Sequence, residues 1–518
     1  MSNANLYELI EQRTPADRSA DCLRLPGGRV LCWRDLHLGA GRIAALLAGL
    51  GLPRGSRLVA QVEKSPEALM LYLATLRSGL VYVPLNVAYQ EAELRHFVDD
   101  SQPSVLVTGA RSAPMVSALA GNAACYTLDE DGQGSLMQAA GAFDGQFATV
   151  QRDAHEPAAI LYTSGTTGRS KGAVLSHGNL ASNALTLDEY WGFRQRRERG
   201  ERDVLLHALP LFHVHGLFVA CHCALLSGST MIFLPRFELE PVLRELPHAT
   251  VMMGVPTYYT RLLQEPAFDV RACGSVRLFV SGSAPLLRET FEEFRQRTGH
   301  TLLERYGMSE TLMLSSNPCF GDPARDRIAG TVGPPLPGVQ IRIARPDGTE
   351  LPGGEVGEVH VRGPGVFSGY WRRPDKTREE FTTDGFFRTG DLGRFGAPGA
   401  PPSYLSLVGR SKDLIITGGY NVYPKEVEGY LDEMPGVVES AVVGLPHPDF
   451  GEAVCAFLVA DGSVELDPAQ VIGRLKDRIA HFKVPKRIWQ VSELPRNAMG
   501  KVQKKALREQ YAQTFTKS

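Results

Sequence analysis

No apolar run in the 518-residue sequence reaches the roughly 18 residues needed to cross a bilayer, so a membrane-spanning chain is not expected. Neither sign of charge is in excess. Lys+Arg number 55 against 57 Asp+Glu, a net charge of -2, which argues against the basic footprint of a nucleic-acid or anionic-membrane binder. Cysteine is sparse: the eight residues at 22, 32, 125, 221, 223, 273, 319 and 455 never fall in CxxC spacing. A zinc ribbon is therefore excluded, and a chain this long needs no disulfide staples. Cys221 and Cys223 lie in an apolar stretch and read as buried small hydrophobes. The opening MSNANLYELIEQR lacks an apolar signal core and carries acids, which makes the cytoplasm the expected compartment. Internal repeats and low-complexity tracts are missing too. The one local run of like charge, Arg194, Arg196, Arg197, Arg199 and Arg202, is interleaved with Glu198, Glu201 and Asp203 and reads as a solvated loop or helix face.

What is present is alternation. SRLVAQV, EALMLYLATLRSGL and VYVPL follow one another as strand, helix and short buried strand. The same order recurs in AAILYT with HGNLASNALTL, MIFLP with LEPVLREL, and VRLFVSGS with LLRETFEEFRQRTG. Repeated strand–helix pairs predict parallel sheets flanked by helices, an α/β chain too long for one core. From about 320 to 410 the sequence turns Gly- and Pro-rich with short β-like pieces, a smaller and distorted β unit. After Arg410 the pattern resets to ESAVVGL and AVCAFLVA as strands, a helix opening at Asp467-Pro468, and a further strand KRIWQV. That is an α+β module large enough to fold alone.

The most informative stretch runs Leu161-Tyr162-Thr163-Ser164-Gly165-Thr166-Thr167-Gly168-Arg169-Ser170-Lys171-Gly172. A strand enters a loop of glycines and hydroxyls that closes on lysine, and such a loop can cradle phosphate oxygens on inward N–H groups. It is not a Walker loop, which needs Gly-Lys-Ser/Thr; here Ser170 precedes Lys171 and Gly172 follows.

The loop resembles the phosphate loop of the adenylate-forming superfamily of acyl-CoA synthetases, luciferases and peptide-synthetase adenylation domains. Ser170 stands where members usually have proline. Four further matches follow in the family's order: Tyr306-Gly307-Met308-Ser309-Glu310, Thr389-Gly390-Asp391, Gly409-Arg410-Ser411-Lys412-Asp413 and Pro495-Arg496-Asn497-Ala498-Met499-Gly500-Lys501. The resemblance implies a large ATP- and acid-binding domain over 1–411 and a small mobile domain over 412–518, hinged at Lys412. It assigns Thr163, Ser164, Gly165, Thr166, Thr167, Gly168 and Lys171 to the ATP phosphates, Ser309 to the α-phosphate and Tyr306 to adenine. Asp391 and Arg410 fall to the ribose hydroxyls, and Glu310 to Mg²⁺, a hard cation suited to carboxylate and phosphate oxygens. Lys501 becomes the catalytic lysine that neutralises charge during adenylation. CoA is the expected acyl acceptor, with Gly418 and Gly419 leaving room for its thin pantetheine arm.

The acid pocket implied by the resemblance draws on FHVHG, VPTYYTR, SGSAP and YGM, which contribute His213 as a catalytic residue and His215, Ser283, Met308 and Arg261 as substrate contacts. Thr257 and Arg261 are four apart and share a helix face, so a guanidinium is expected where a second carboxylate would bind. His213 and His215 stand at alternate positions but lack a third ligand, which argues against zinc. FHVHGLF, MGVPTYYTRLL, RLFVSGSAPLL, ERYGMSET and ITGGYNVYPKE together resemble malonyl-CoA synthetases, implying malonate as the acid. Methylmalonate or another short acid is the alternative within the class. A catalytically silent nucleotide-binding homologue is the alternative outside it, and the presence of Glu310, Asp391, Arg410 and Lys501 argues against that.

Overall fold

The computed structural model describes residues 3–163, 170–417, 420–497 and 500–515, which form two compact units of a mixed α/β fold. The first comprises residues up to 286 together with 290–340 and 361–387; the second comprises 287–289, 341–360 and 388 onward. Lys412 lies within the second unit.

The first unit holds two sheets. One has six strands in the order Ala124–Thr127, Val105–Thr108, Arg57–Gln61, Val81–Pro84, Pro157–Thr163 and Lys171–Ser176, parallel throughout except for its last pair. The other has eight, in the order Leu312–Ser316, Leu303–Met308, Leu278–Ser281, Val251–Gly254, Val204–His207, Thr230–Phe233, Asp21–Arg24 and Val30–Cys32. Only its two end pairs are antiparallel. The strands read as near-continuous apolar runs because helices cover both faces of a parallel sheet. Helix Pro66–Arg77 shows how deep that cover goes: all twelve of its residues are buried. Its start is set by Ser65, whose hydroxyl accepts from the Ala68 N–H, and by Pro66, which lacks an N–H to orphan.

Ion pairing decides one further feature of this unit. The basic run that reads as solvated is only partly so: Arg196 and Arg197 reach the buried carboxylates of Asp203 and Asp188, each at 3.1 Å. Asp203 also accepts from Arg277 at 2.8 Å and from the Thr250 hydroxyl at 2.7 Å. Removing one partner of such a pair leaves the other uncompensated in the interior, at a cost of about 3–5 kcal/mol. Asp203→Ala is therefore expected to lower urea stability by that amount. A loss under about 1 kcal/mol would show that Arg277 finds other partners.

The second unit holds a four-stranded sheet, Gln340–Ala344, Gly357–Arg362, Phe387–Phe395 and Leu405–Arg410. It also holds a five-stranded one in which the long antiparallel pair Val437–His447 and Gly451–Ala460 is extended by Arg487–Gln490 and by the hairpin Ile415–Thr417 with Tyr420–Val422. Helices Pro424–Asp432 and Pro468–Lys476 cover this sheet through Val427, Leu431, Val471 and Leu475. Asp467 caps the second helix by accepting from the Ala469 N–H, as its sequence predicts. Among the described residues no helix is long and apolar enough to cross a membrane, and no group of three or more His, Cys, Asp and Glu could hold a metal ion by itself. Cys221 and Cys223 are buried free thiols.

Candidate active site

In the eight-stranded sheet the strands Val204–His207, Val251–Gly254, Leu278–Ser281 and Leu303–Met308 run parallel, so their C-terminal ends share one edge. Ligands of open α/β sheets bind outside that edge. The loop carrying His213 and His215, the start of helix Pro256–Leu263, Ser283 and the segment Arg305–Met308 all emerge there. Four stretches far apart in sequence are thus gathered by strand direction alone.

Glu310 lies in the turn that joins Leu303–Met308 to the antiparallel strand Leu312–Ser316. Its buried carboxylate accepts through Oε1 from the Thr163 hydroxyl at 3.2 Å and from the Tyr370 hydroxyl at 3.2 Å. Thr163 is the cross-strand partner of Lys171. The Lys171 ammonium pairs with Glu380 at 3.1 Å and sits 4.1 Å from the centre of the Tyr370 ring. Burial, with Glu310 and Glu380 nearby, pushes the Tyr370 hydroxyl well above its ordinary range, which keeps it a donor. Tyr370 and Glu380 carry no local sequence signal, and the sequence reading does not find them. Ser164, Gly165, Thr166, Thr167 and Gly168 lie outside the described residues, as do Gly418 and Gly419.

A carboxylate flanked by two hydroxyls is an all-oxygen donor set, the chemistry Mg²⁺ selects. Mg²⁺ typically takes only one or two protein carboxylates and completes its shell with phosphates and water, so Glu310 fits it. Tyr306, the proposed neighbour of adenine, is buried on the same strand, while Ser309 and Met308 are half-buried beside it.

Among the residues expected to contact the acid, the Ser283 hydroxyl lies 3.3 Å from His215 Nδ1 and accepts from Arg305 at 3.5 Å. Ser283 takes a left-handed backbone, φ 72°, uncommon outside glycine. Burial and the nearby Arg305 charge hold the His215 imidazole well below its usual range, so it is neutral at pH 7. The two histidines are not alternate residues of a strand: His215 opens the π-helical turn His215–Cys221, whose Gly216 carbonyl lies 2.9 Å from His207 Nε2. His213 precedes that turn, half-buried, with its ring 4.4 Å from that of Phe212. Arg261 does share a face with Thr257, but the face is the exposed one; Pro256, Tyr259, Leu262 and Leu263 are the buried residues of that helix.

The second unit presents the other residues. Asp391 and Arg410 are cross-strand partners, and Arg410 Nε donates to the buried Asp391 carboxylate at 2.8 Å, fixing its orientation. Lys412 is exposed in the short turn Ser411–Asp413, which is tied down by the Arg508–Asp413 pair at 2.8 Å. Lys501 is half-buried at the end of a pinned turn: its N–H donates to Asn497 Oδ1 at 3.0 Å, and its carbonyl accepts from the Asn497 N–H at 2.9 Å.

The family model for AMP-binding enzymes matches residues 10–371, and that for their C-terminal domain matches 426–501. A malonate–CoA ligase of Arabidopsis thaliana is 39% identical over 511 residues, 92% of this chain and 81% of the relative. A sulfoacetate–CoA ligase of Cupriavidus necator is 33% identical, covering 92% of each chain. The ATP-bound crystal structure of MatB from Rhodopseudomonas palustris superposes with a TM-score of 0.95 at 50% identity, over 99% of this chain and 100% of that one. Because the first family model spans well over half of the chain and relatives at 33% identity or more cover most of it, this chain belongs to the AMP-binding, adenylate-forming enzymes.

Proposed function

We propose that the chain is a malonate–CoA ligase that converts ATP, malonate and CoA into malonyl-CoA, AMP and diphosphate. The observation that supports it best is likeness along nearly the whole chain to proteins named for that reaction or for its structural relative MatB. In the first half-reaction a malonate carboxylate oxygen attacks the α-phosphorus of ATP and diphosphate leaves. In the second, the CoA sulfur attacks the acyl carbon of the adenylate, losing its proton as AMP departs.

In this reading Thr163, Lys171 and the intervening loop hold the β- and γ-phosphates, Ser309 reaches the α-phosphate and Tyr306 lies against adenine. Asp391, held by Arg410, accepts from the ribose hydroxyls. Mg²⁺ on Glu310 would supply charge neutralisation to the phosphates. Lys501 neutralises the charge that develops between carboxylate and α-phosphate. His213, His215, Ser283, Met308 and Arg261 belong to the acid side, and Gly418 and Gly419 to the pantetheine path.

The small domain beginning at Lys412 changes position between half-reactions, first excluding water and then admitting the thiol. Lys412→Pro removes a rotatable φ and an N–H donor. One half-reaction should survive while the other collapses; small equal losses in both would place the hinge elsewhere.

Diphosphate release with a panel of acids, with and without CoA, tests the whole reading. Malonate should be the best substrate, methylmalonate slower and propionate poor, with the thioester formed only when CoA is present. A monocarboxylic acid as best substrate, or no release with any acid, would overturn it.

A further inference from the structure

One buried cation stands outside every role assigned so far. Lys64 follows strand Arg57–Gln61, directly before Ser65 at the start of helix Pro66–Arg77, and is only 7% exposed. A buried ammonium is costly unless it is paired, yet no carboxylate among the described residues pairs with it. What it meets is neutral. Nζ donates to His207 Nδ1 and to the His207 carbonyl, each at 2.7 Å, and lies 4.3 Å from the centre of the Phe233 ring. His207, 1% exposed, closes strand Val204–His207, so the contact ties the six-stranded sheet to the eight-stranded one.

The ring hands this contact on. An ammonium has no lone pair, so Nδ1 accepts and the ring proton sits on Nε2, which donates to the Gly216 carbonyl at 2.9 Å. Gly216 is the second residue of the π-helical turn His215–Cys221, seated so closely that a Cβ there would collide with the Pro210 carbonyl. One residue back is His215, its Nδ1 3.3 Å from the Ser283 hydroxyl. The same atoms have a second arrangement, because Cys221 Sγ also lies 3.3 Å from His207 Nε2. An uncharged Lys64 can accept from Nδ1–H while the thiol donates to Nε2, and the Gly216 carbonyl is then left facing an acceptor. Protonation of Lys64 selects the first arrangement, and burial lowers its pKa to about 7. The titratable groups facing it are His207, held neutral by burial and by the Lys64 charge, and Cys221, whose thiol burial pushes up to about 12. Phe233 brings only a ring face, and the adjacent Glu63 is exposed.

We infer that Lys64 is a positioning residue for the acid side of the site: through His207 it fixes the Gly216 carbonyl, and with it the π-helical turn that presents His215. The inference rests on the proposed ligase reading, in which His215 contacts the acid, and it gives Lys64 a part played entirely through its neighbours. Turns of this kind are rare and recur at functional sites. The donor that holds this one is itself oriented from the other sheet.

The test measures malonate- and ATP-dependent diphosphate release against pH in wild type, Lys64→Met, His207→Gln and the double variant, with thermal unfolding of each. Lys64→Met keeps the length of the side chain and removes a buried charge, so it should melt near the wild-type temperature. Below neutral pH its KM for malonate should rise about tenfold, the loss of one charge-assisted hydrogen bond, while its KM for ATP stays within about twofold. As pH rises through about 7 the wild-type lysine loses its proton, so the wild-type KM for malonate should climb towards that of the variant, which stays flat. Lys64→Met should add little in the His207→Gln background, whose amide can donate to Gly216 unaided. An unchanged malonate KM in Lys64→Met overturns the inference. So do equal losses for malonate and ATP in a destabilised protein, which would mark a structural strut, a gap between wild type and variant that ignores pH, or additive losses in the double variant. Should Lys64→Met fail to fold, the wild-type profile decides: a malonate KM that is flat across pH about 6–8.5 overturns the role. If wild type activates no acid, the ligase reading falls and the positioning role with it; failure of the role alone leaves wild-type activation of malonate intact.

Discussion

Lys501→Ala should stop diphosphate release from ATP and malonate, yet still convert supplied malonyl-adenylate and CoA into malonyl-CoA. The lysine is asked to stabilise charge that exists only while the carboxylate attacks the α-phosphorus. Loss of one preorganised donor at such a position costs about 10²–10³ in rate, and a full charge at least that. Thiol attack on the acyl carbon develops its charge elsewhere and has no use for the ammonium. The local structure argues against a loose tail. Arg496 and Val502 bridge as antiparallel partners, and the Gly500 N–H donates to the Asn497 carbonyl at 2.8 Å. The turn closes through Gly500 at φ 74°, a backbone glycine adopts at little cost. Such a turn presents the Lys501 side chain from a defined base, with its own N–H and carbonyl both tied to Asn497. A lysine that mattered only for solubility would leave both half-reactions untouched. Equal large losses in both, in a folded variant, would refute the division of labour while leaving the site itself standing.

How much of this was legible beforehand depends on whether the signal is local. The strands and helices are, because a parallel strand buried on both faces is a short apolar run and its covering helix has 3.6-residue periodicity. AAILYT and VRLFVSGS contain the observed strands Pro157–Thr163 and Leu278–Ser281 almost to the residue. The alternate positions of His213 and His215 would suit one face of a strand, but FHVHGLF enters a π-helical turn, which has no sequence period to betray it. Its wide carbonyls are met by tertiary partners such as His207. Tyr370 and Glu380 lie 60 and 209 residues from the groups they touch, Glu310 and Lys171, so nothing nearby announces them. Arg305 looks like an ordinary charged strand residue in ERYGM until the missing Cβ of Gly282 shows where its guanidinium lies. The periodicity of PTYYTRLL, by contrast, already sets Arg261 opposite Tyr259 and Leu262, and the structure leaves it exposed.

Glu310→Gln separates the metal's contribution from that of the lysine. The amide keeps the volume and an acceptor oxygen, so the hydroxyls of Thr163 and Tyr370 can donate as before. What disappears is the negative charge on the carboxylate that accepts from both. Charge stabilisation by a bound Mg²⁺ is worth several kcal/mol, and at about 1.4 kcal/mol per tenfold a weakened site should slow adenylation by ~10²–10³. Because the defect is one of metal affinity, raising Mg²⁺ should recover part of the rate. No concentration of Mg²⁺ should rescue Lys501→Ala, whose missing charge is fixed to the chain. Thioester formation from supplied adenylate should change little in Glu310→Gln, since diphosphate and its bound cation have already left. The decisive measurement is therefore a Mg²⁺ titration of diphosphate release in both variants. A Glu310→Gln enzyme with unaltered Mg²⁺ dependence would remove the carboxylate from the metal site, whatever the size of its rate loss.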